Sequence, residues 1–209
     1  MKNVFRAAAL GPPISALLAT LAAWLTPGYD AVSKTVSRLA VPGAPAALLV
    51  DASIALIALS CFLLAAGLSR GGRAARIALT VAGTGLGAAA LIHLDPASAT
   101  STWAHRVASG IAVAGLTVAP LLLARGYGPI SLIAGAAEAA MLLLGAVLLA
   151  TPFAAWGAWE RALLAIPLTW MVLIALTNVS THEKISAANA IVRSSGSAAP
   201  DNSVSSANP

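Results

Sequence analysis

Six apolar stretches alternate with short polar segments along the 209-residue chain. A helix of ~20 residues crosses the ~30 Å hydrocarbon core of a bilayer. Backbone polar groups at that depth find no water, so each stretch must satisfy them internally as a helix. The pattern therefore predicts an all-α, polytopic membrane bundle of six transmembrane helices. The predicted spans are residues 4–25, 46–68, 77–94, 107–124, 130–150 and 162–176.

The composition supports this fold class. Hydrophobic residues make up 59% of the chain and charged residues 9%, a balance that excludes a soluble domain of this size. The end of the chain differs, because it is rich in Ser, Ala and Asn and lacks the apolar content to pack. We therefore expect a transmembrane domain, residues 1–178, followed by a mostly disordered cytoplasmic tail, residues 179–209.

The basic residues predict the orientation. With a cytoplasmic N-terminus, eight of the twelve Lys and Arg residues lie on the inner side. This bias predicts a multi-pass protein of the plasma (inner) membrane with both termini in the cytoplasm. The net charge of +5 is scattered over loops and forms no basic face, which argues against nucleic acid as a partner. The expected partners are the lipid bilayer and, as an open alternative, a membrane protein or a second copy.

The loop between the first two spans has a helical pattern. At 100° per residue, its apolar and polar side chains fall on opposite sides, which predicts a short amphipathic helix at the membrane interface. Asp30 is placed to cap its start. The helix either plugs the bundle or covers a polar cavity. The apolar side carries Tyr29, Val32, Val36 and Leu39, and the polar side carries Asp30, Ser33, Lys34, Ser37 and Arg38.

Ionisable residues gather near the predicted outer ends of several spans. Because Pro96 disfavours helical geometry at the residue before it, the third helix should end near Leu94, so that Asp95 can fold back. One interpretation is a zinc site with His93, His105 and Asp51 as ligands. The other is interfacial hydrogen bonding and ion pairing, for example between Asp95 and Arg106. The candidate outer site comprises Asp51, His93, Asp95, His105 and Arg106.

Two further features lie inside the spans. Glu138, near the middle of the fifth span, shares a face with small residues and should point into the bundle. A carboxyl group at that depth is a candidate coupling site for protons, and a neutral carboxyl bonded to a Ser or Thr neighbour is the alternative. Gly83 and Gly87 form a small-residue pair in the third span, which predicts close helix packing.

The missing motifs favour a non-enzymatic protein. The chain has no GxSxG, P-loop, HExxH or nucleotide-binding fingerprint. We expect an accessory, small-carrier or lipid-binding module with an outward-facing polar vestibule and no cofactor. One alternative is a membrane-embedded, metal-dependent hydrolase using zinc held by the outer cluster. The other is a proton-coupled transporter using Glu138 and Asp51.

The first loop also carries a family resemblance. Its pattern is Tyr29-Asp30-x-x-Ser33-x-x-x-Ser37-x-Leu39, and His93 and His105 flank a proline-containing loop further along. These features resemble the prokaryotic multi-pass membrane family catalogued as domain of unknown function 998, over roughly residues 7–176. The resemblance implies a six-helix membrane protein and supplies no activity, substrate or catalytic residue. Arg38 stands where the resemblance implies an acidic residue.

Overall fold

The described part of the chain is helical throughout its regular structure, with no β-strand. In this computed structural model, residues 2–68 and 72–196 are described. All six α-helices are long and apolar enough to span a membrane, which confirms the predicted fold class. The helices are α1 (Lys2–Leu25), α2 (Ala47–Gly67), α3 (Gly72–Leu91), α4 (Ala99–Tyr127), α5 (Pro129–Leu148) and α6 (Trp156–Gly196).

Consecutive helices pack side by side, and α1 also packs against α6 to close the bundle. The α1–α2, α3–α4 and α5–α6 connections lie at one end, here called the loop end. Small residues let α3 and α4 approach closely. A Cβ atom added at Gly85 would lie 2.7 Å from the carbonyl oxygen of Ala108. The two glycines that were predicted to form one packing face have different surroundings. Gly83 packs against Phe62 of α2, whereas Gly87 faces open space.

Large apolar side chains form the main core of the bundle, and a smaller cluster closes the loop end. The first group includes Phe5, Leu64, Leu79, Leu116, Trp170 and Ile174. The second contains Ala22, Leu39, Ala40, Ala46 and Val50. Because Leu39 belongs to the α1–α2 loop, this second cluster anchors that loop on the bundle.

The first loop is not the amphipathic helix predicted from its periodicity. Only Val36–Ala40 is helical, as one short 3₁₀ helix, and turns precede it. Asp30 does accept hydrogen bonds from the backbone N–H groups of Val32 and Ser33, but these bonds close a turn. Hydrogen bonding from Ser33 lowers the pKa of Asp30, which keeps this acceptor ionised. Thr35 is extended, so no helix continues through the loop.

Helical structure also extends past the predicted domain boundary at residue 178. Helix α6 continues to Gly196, and residues 197–209 of the predicted tail lie outside the described residues. Contacts with the start of α1 stabilise this extension. Glu183 forms ion pairs with Lys2 at 2.6 Å and Arg6 at 3.2 Å. The ring of His182 lies 6.0 Å from that of Phe5. Both ends of the helical part therefore lie on the same side of the bundle.

The cytoplasmic position of these ends is a prediction that cysteine labelling tests. Ala99 and Lys184 are exposed at opposite ends of the bundle. In a Cys61→Ala background, we expect Ala99→Cys to react with a membrane-impermeant maleimide on intact cells. Lys184→Cys should react only after permeabilisation. The reverse pattern would contradict the orientation, and labelling of both from the same side would contradict the six-span topology.

Candidate functional site

An apolar chamber of about 410 Å³ lies between the helices near the loop end. Its wall on α4 includes Gly110 and Ala114, which are exposed on the outer surface of the bundle. The chamber therefore opens sideways, towards the space that lipid fills in a membrane. Most of the wall is aliphatic, with contributions from Ile54, Ile57, Leu86, Val113, Leu116 and Leu163.

A polar chamber of about 380 Å³ adjoins the first. Residues of the first loop form one side, and the start of α4 and the start of α6 form the other. Arg38 and Arg106 line it, and in the described part of the chain neither guanidinium group has an ion-pair partner. Four residues line both chambers and define the junction: Ser37, His105, Ser109 and Glu160.

The first loop is fastened to α6 by Arg161. Its Nη1 donates to the carbonyl oxygen of Ala31 at 2.8 Å, and its Nη2 donates to the Tyr29 hydroxyl at 2.8 Å. The guanidinium group also lies 5.7 Å from the centre of the Tyr29 ring. Burial raises the pKa of Tyr29, so its hydroxyl remains protonated and donates to the carbonyl oxygen of Lys34 at 2.9 Å.

The first turn of α6 completes this attachment. The backbone N–H of Ala158 donates to the carbonyl oxygen of Val32 at 2.9 Å, and that of Val36 donates to Oε2 of Glu160 at 2.5 Å. Gly157 lies against the loop, where a Cβ atom would meet the Lys34 carbonyl oxygen. A glycine at this position is therefore required for the close approach, and the loop forms a fixed wall of both chambers.

His105 occupies the junction with one ring nitrogen unused. The residue is only 4% exposed. Its Nδ1 lies 2.6 Å from the carbonyl oxygen of Ile92, so Nδ1 carries the proton and donates. Its Nε2 is buried and has no hydrogen-bond partner among the described residues. Buried polar atoms nearly always have a partner, so this nitrogen is a candidate ligand contact.

Asp51 and His93 form a pair that lines neither chamber. Nε2 of His93 is 3.1 Å from both carboxylate oxygens of Asp51. Ser101 donates to the carbonyl oxygen of His93 at 2.7 Å, which holds the end of α3 against α4. The structure thus brings Asp51 within hydrogen-bond distance of His93, one of the two histidines that the zinc interpretation grouped with it.

The structure does not bring the three predicted zinc ligands together. No group of three His, Cys, Asp or Glu side chains suited to a metal ion occurs in residues 2–68 and 72–196. Among the described residues, His105 makes no hydrogen bond to Asp51 or His93, since its Nδ1 bonds to the Ile92 carbonyl and its Nε2 has no partner. The pair on its own offers two ligand-type side chains, fewer than the three that a catalytic zinc site uses.

Asp95 and Arg106 have separate roles. Oδ1 of Asp95 accepts from the backbone N–H of Ala97 at 2.9 Å, and its own backbone oxygen accepts from Thr102 at 2.7 Å. Among the described residues, Asp95 and Arg106 do not form the ion pair that the second interpretation offered as an example. Asp95 shapes the α3–α4 loop, and this leaves Arg106 free to line the polar chamber.

Glu138 points into the bundle as predicted, with 1% of its surface exposed. Neither carboxyl oxygen has a hydrogen-bond partner in the described part of the protein. The expected bond to a Ser or Thr neighbour is therefore not formed, and Ser131 of the same helix accepts from Nε1 of Trp170 at 3.0 Å. Glu138 lines neither chamber and is separate from the candidate site.

The junction residues Ser37, Ser109 and Glu160 were not among the site residues predicted from sequence. Serines are common in apolar helices and loops, and a glutamate beside an arginine suggests a local ion pair. Arg161 instead reaches the loop, which leaves Glu160 at the cavity. Only the packing of the helices places these residues around one space.

Comparison with known proteins agrees with the fold and the first-loop pattern. A family model described as "Protein of unknown function (DUF998)" matches residues 9–177. No curated protein and no solved structure matches the chain. The match covers more than half of the chain and all or part of each of the six helices, which confirms the resemblance seen in the sequence. The chain therefore belongs to the DUF998 family of proteins of unknown function.

Proposed function

We propose that this protein is a lipid-binding module whose cavity holds one amphiphile. The hydrocarbon chain lies in the apolar chamber, and an anionic headgroup lies in the polar chamber on the outer side of the membrane. The observation that carries the proposal is the junction, where Ser37, His105, Ser109 and Glu160 belong to both chambers. An aliphatic space joined directly to a charged one matches an amphiphile better than a wholly polar solute.

The size and charge of the cavity support the same ligand class. A volume of about 410 Å³ falls within the ~300–1,000 Å³ range of small-molecule sites. Arg38 and Arg106 each present a planar set of donors that suits phosphate or carboxylate oxygens. The exposed wall at Gly110 gives an amphiphile a route from the bilayer without crossing the first loop.

The two alternative functions have less support from the geometry. A metal-dependent hydrolase needs a third ligand beside Asp51 and His93, and the described residues supply none. A proton-coupled transporter would place its carboxyl group on the ligand pathway, whereas Glu138 lines neither chamber. Binding without catalysis is therefore the function that the geometry supports best.

Gly110→Phe tests the proposal at the side opening. A Cβ atom at Gly110 meets nothing within 4 Å, so the substitution needs no backbone shift and fills the chamber edge with a phenyl ring. We expect the dissociation constant for hexadecyl phosphate, measured by isothermal titration in a nonionic detergent, to rise about tenfold or more. This loss reflects exclusion of the hydrocarbon chain from the apolar chamber.

Gly87→Phe is the matched control. Gly87 is also a glycine in a membrane helix whose Cβ position faces open space, but it lines neither chamber. The dissociation constant of the Gly87→Phe variant for hexadecyl phosphate should stay within about twofold of the wild-type value. Equal binding by the Gly110 and Gly87 variants, or no binding by the wild-type protein, would overturn the proposed function.

A further inference from the structure

The polar groups around the cavity are arranged in order along its length. The apolar chamber comes first, the junction follows, and Arg38 and Arg106 line only the polar chamber beyond it. A ligand that occupies the apolar chamber, the junction and the polar chamber must carry matching chemical groups in the same order. The junction therefore decides which class of anionic amphiphile the cavity selects.

His105 presents an acceptor at the junction. A carbonyl oxygen only accepts hydrogen bonds, so the Ile92 carbonyl fixes the proton on Nδ1. In the neutral imidazole, the unpartnered Nε2 then offers a lone pair. A buried acceptor without a partner has a free-energy cost that a donor on the ligand would remove.

Glu160 adds a second acceptor at the same level. Its Oε2 already accepts from the backbone N–H of Val36, which fixes the carboxyl group at the junction. The neighbouring Arg161 donates to loop carbonyls, for example that of Ala31 at 2.8 Å. Two acceptors, His105 and Glu160, therefore stand between the aliphatic wall and the guanidinium groups of Arg38 and Arg106.

We infer that the ligand is a single-chain lipid phosphate with a hydroxyl group between its chain and its phosphate, as in a lysophospholipid. This inference rests on the proposed function and specifies its ligand. The chain fills the apolar chamber, the hydroxyl donates to His105 or Glu160, and the phosphate binds Arg38 and Arg106. The hydroxyl is the feature that separates this class from simple alkyl phosphates.

A matched pair of ligands tests the inference on the wild-type protein. Palmitoyl lysophosphatidate and its deoxy analogue palmitoyloxypropyl phosphate differ only in the glycerol hydroxyl. We expect the deoxy compound to bind about tenfold more weakly, because it leaves the junction acceptors unpaired. Monopalmitoylglycerol, which lacks the phosphate, should also bind at least tenfold more weakly. Inorganic phosphate, which lacks the chain, should not compete at millimolar concentration.

His105→Leu should remove the preference for the hydroxyl. In this variant, lysophosphatidate and the deoxy analogue are expected to bind within about twofold of each other, because the acceptor is gone. Glu160→Gln should keep part of the preference, since the amide oxygen still accepts a hydrogen bond. Should the His105 variant fail to fold, the ligand pair on the wild-type protein still decides.

The outcomes separate the two proposals. Equal binding of lysophosphatidate and the deoxy analogue by the wild-type protein overturns the inference and leaves the proposed function in place. No binding of either compound overturns both. Competition by inorganic phosphate as strong as that by the lipids also overturns both, because it would show a simple anion site without a role for the apolar chamber.

Discussion

Gly115→Leu is expected to lower the free energy of unfolding by about 3 kcal/mol or more. A Cβ atom at this position would lie 2.7 Å from the carbonyl oxygen of Ala78 and 2.8 Å from the amide nitrogen of Ala82. Both neighbours are backbone atoms of α3 and have no rotamer that avoids the contact. The helices α3 and α4 must separate to admit the side chain. Titration with sodium dodecyl sulfate, followed by tryptophan fluorescence, measures the loss.

Gly87→Leu provides the control for this substitution. It places the same side chain in a membrane helix, at a glycine whose Cβ position is open. Its free energy of unfolding should change by less than about 1 kcal/mol. A similar loss in both variants would mean that leucine disturbs these helices for reasons other than the α3–α4 contact.

The six helices were predictable because the bilayer leaves few choices for an apolar segment of this length. Their ends were harder to place. Helix α4 begins at Ala99, eight residues before the predicted span, because Ser98 caps it by accepting from the backbone N–H of Ser101 at 3.2 Å. The first turn of α4 carries polar residues, so hydropathy alone does not assign it to a membrane helix.

The first loop shows why periodicity misled. Of the four apolar residues at helical spacing, Tyr29, Val36 and Leu39 pack against the bundle, whereas Val32 is 55% exposed. Contacts with α6, which is remote in sequence, replace the helix that the periodicity predicted for this loop. The Val36 N–H, for example, bonds to Glu160 instead of to a residue within the loop. A sequence pattern reports which side chains are buried, but not which distant group satisfies the backbone.

The candidate site was predicted in part. The sequence grouped Asp51 with both His93 and His105, and the structure pairs Asp51 with His93. The direction of the His105 ring could not be predicted, because it depends on a hydrogen bond to the Ile92 carbonyl. The cavity itself has no sequence signal, since it exists only where several helices leave space between them.

Arg161→Ala is expected to loosen the attachment of the first loop to α6. The guanidinium group holds the loop through the Ala31 carbonyl, the Lys34 carbonyl and the Tyr29 hydroxyl. Hydrogen bonds to charged groups contribute about 1.5–3 kcal/mol each and are not additive, so we expect a stability loss of about 2 kcal/mol or more. Amide exchange across residues 28–36 should become at least tenfold faster.

Arg161→Lys and Arg106→Ala show whether geometry or charge is responsible. A lysine keeps the charge but cannot present two donor nitrogens in one plane, so it should restore only a small part of the protection. Arg106 is an arginine at the same end with no ion-pair partner in the described chain, and its removal should leave amide exchange in the loop unchanged. Full protection in Arg161→Lys would attribute the attachment to charge alone. Unchanged exchange in Arg161→Ala would mean that the other contacts hold the loop without it, namely the apolar packing of Leu39 and the backbone hydrogen bonds to Ala158 and Glu160 of α6.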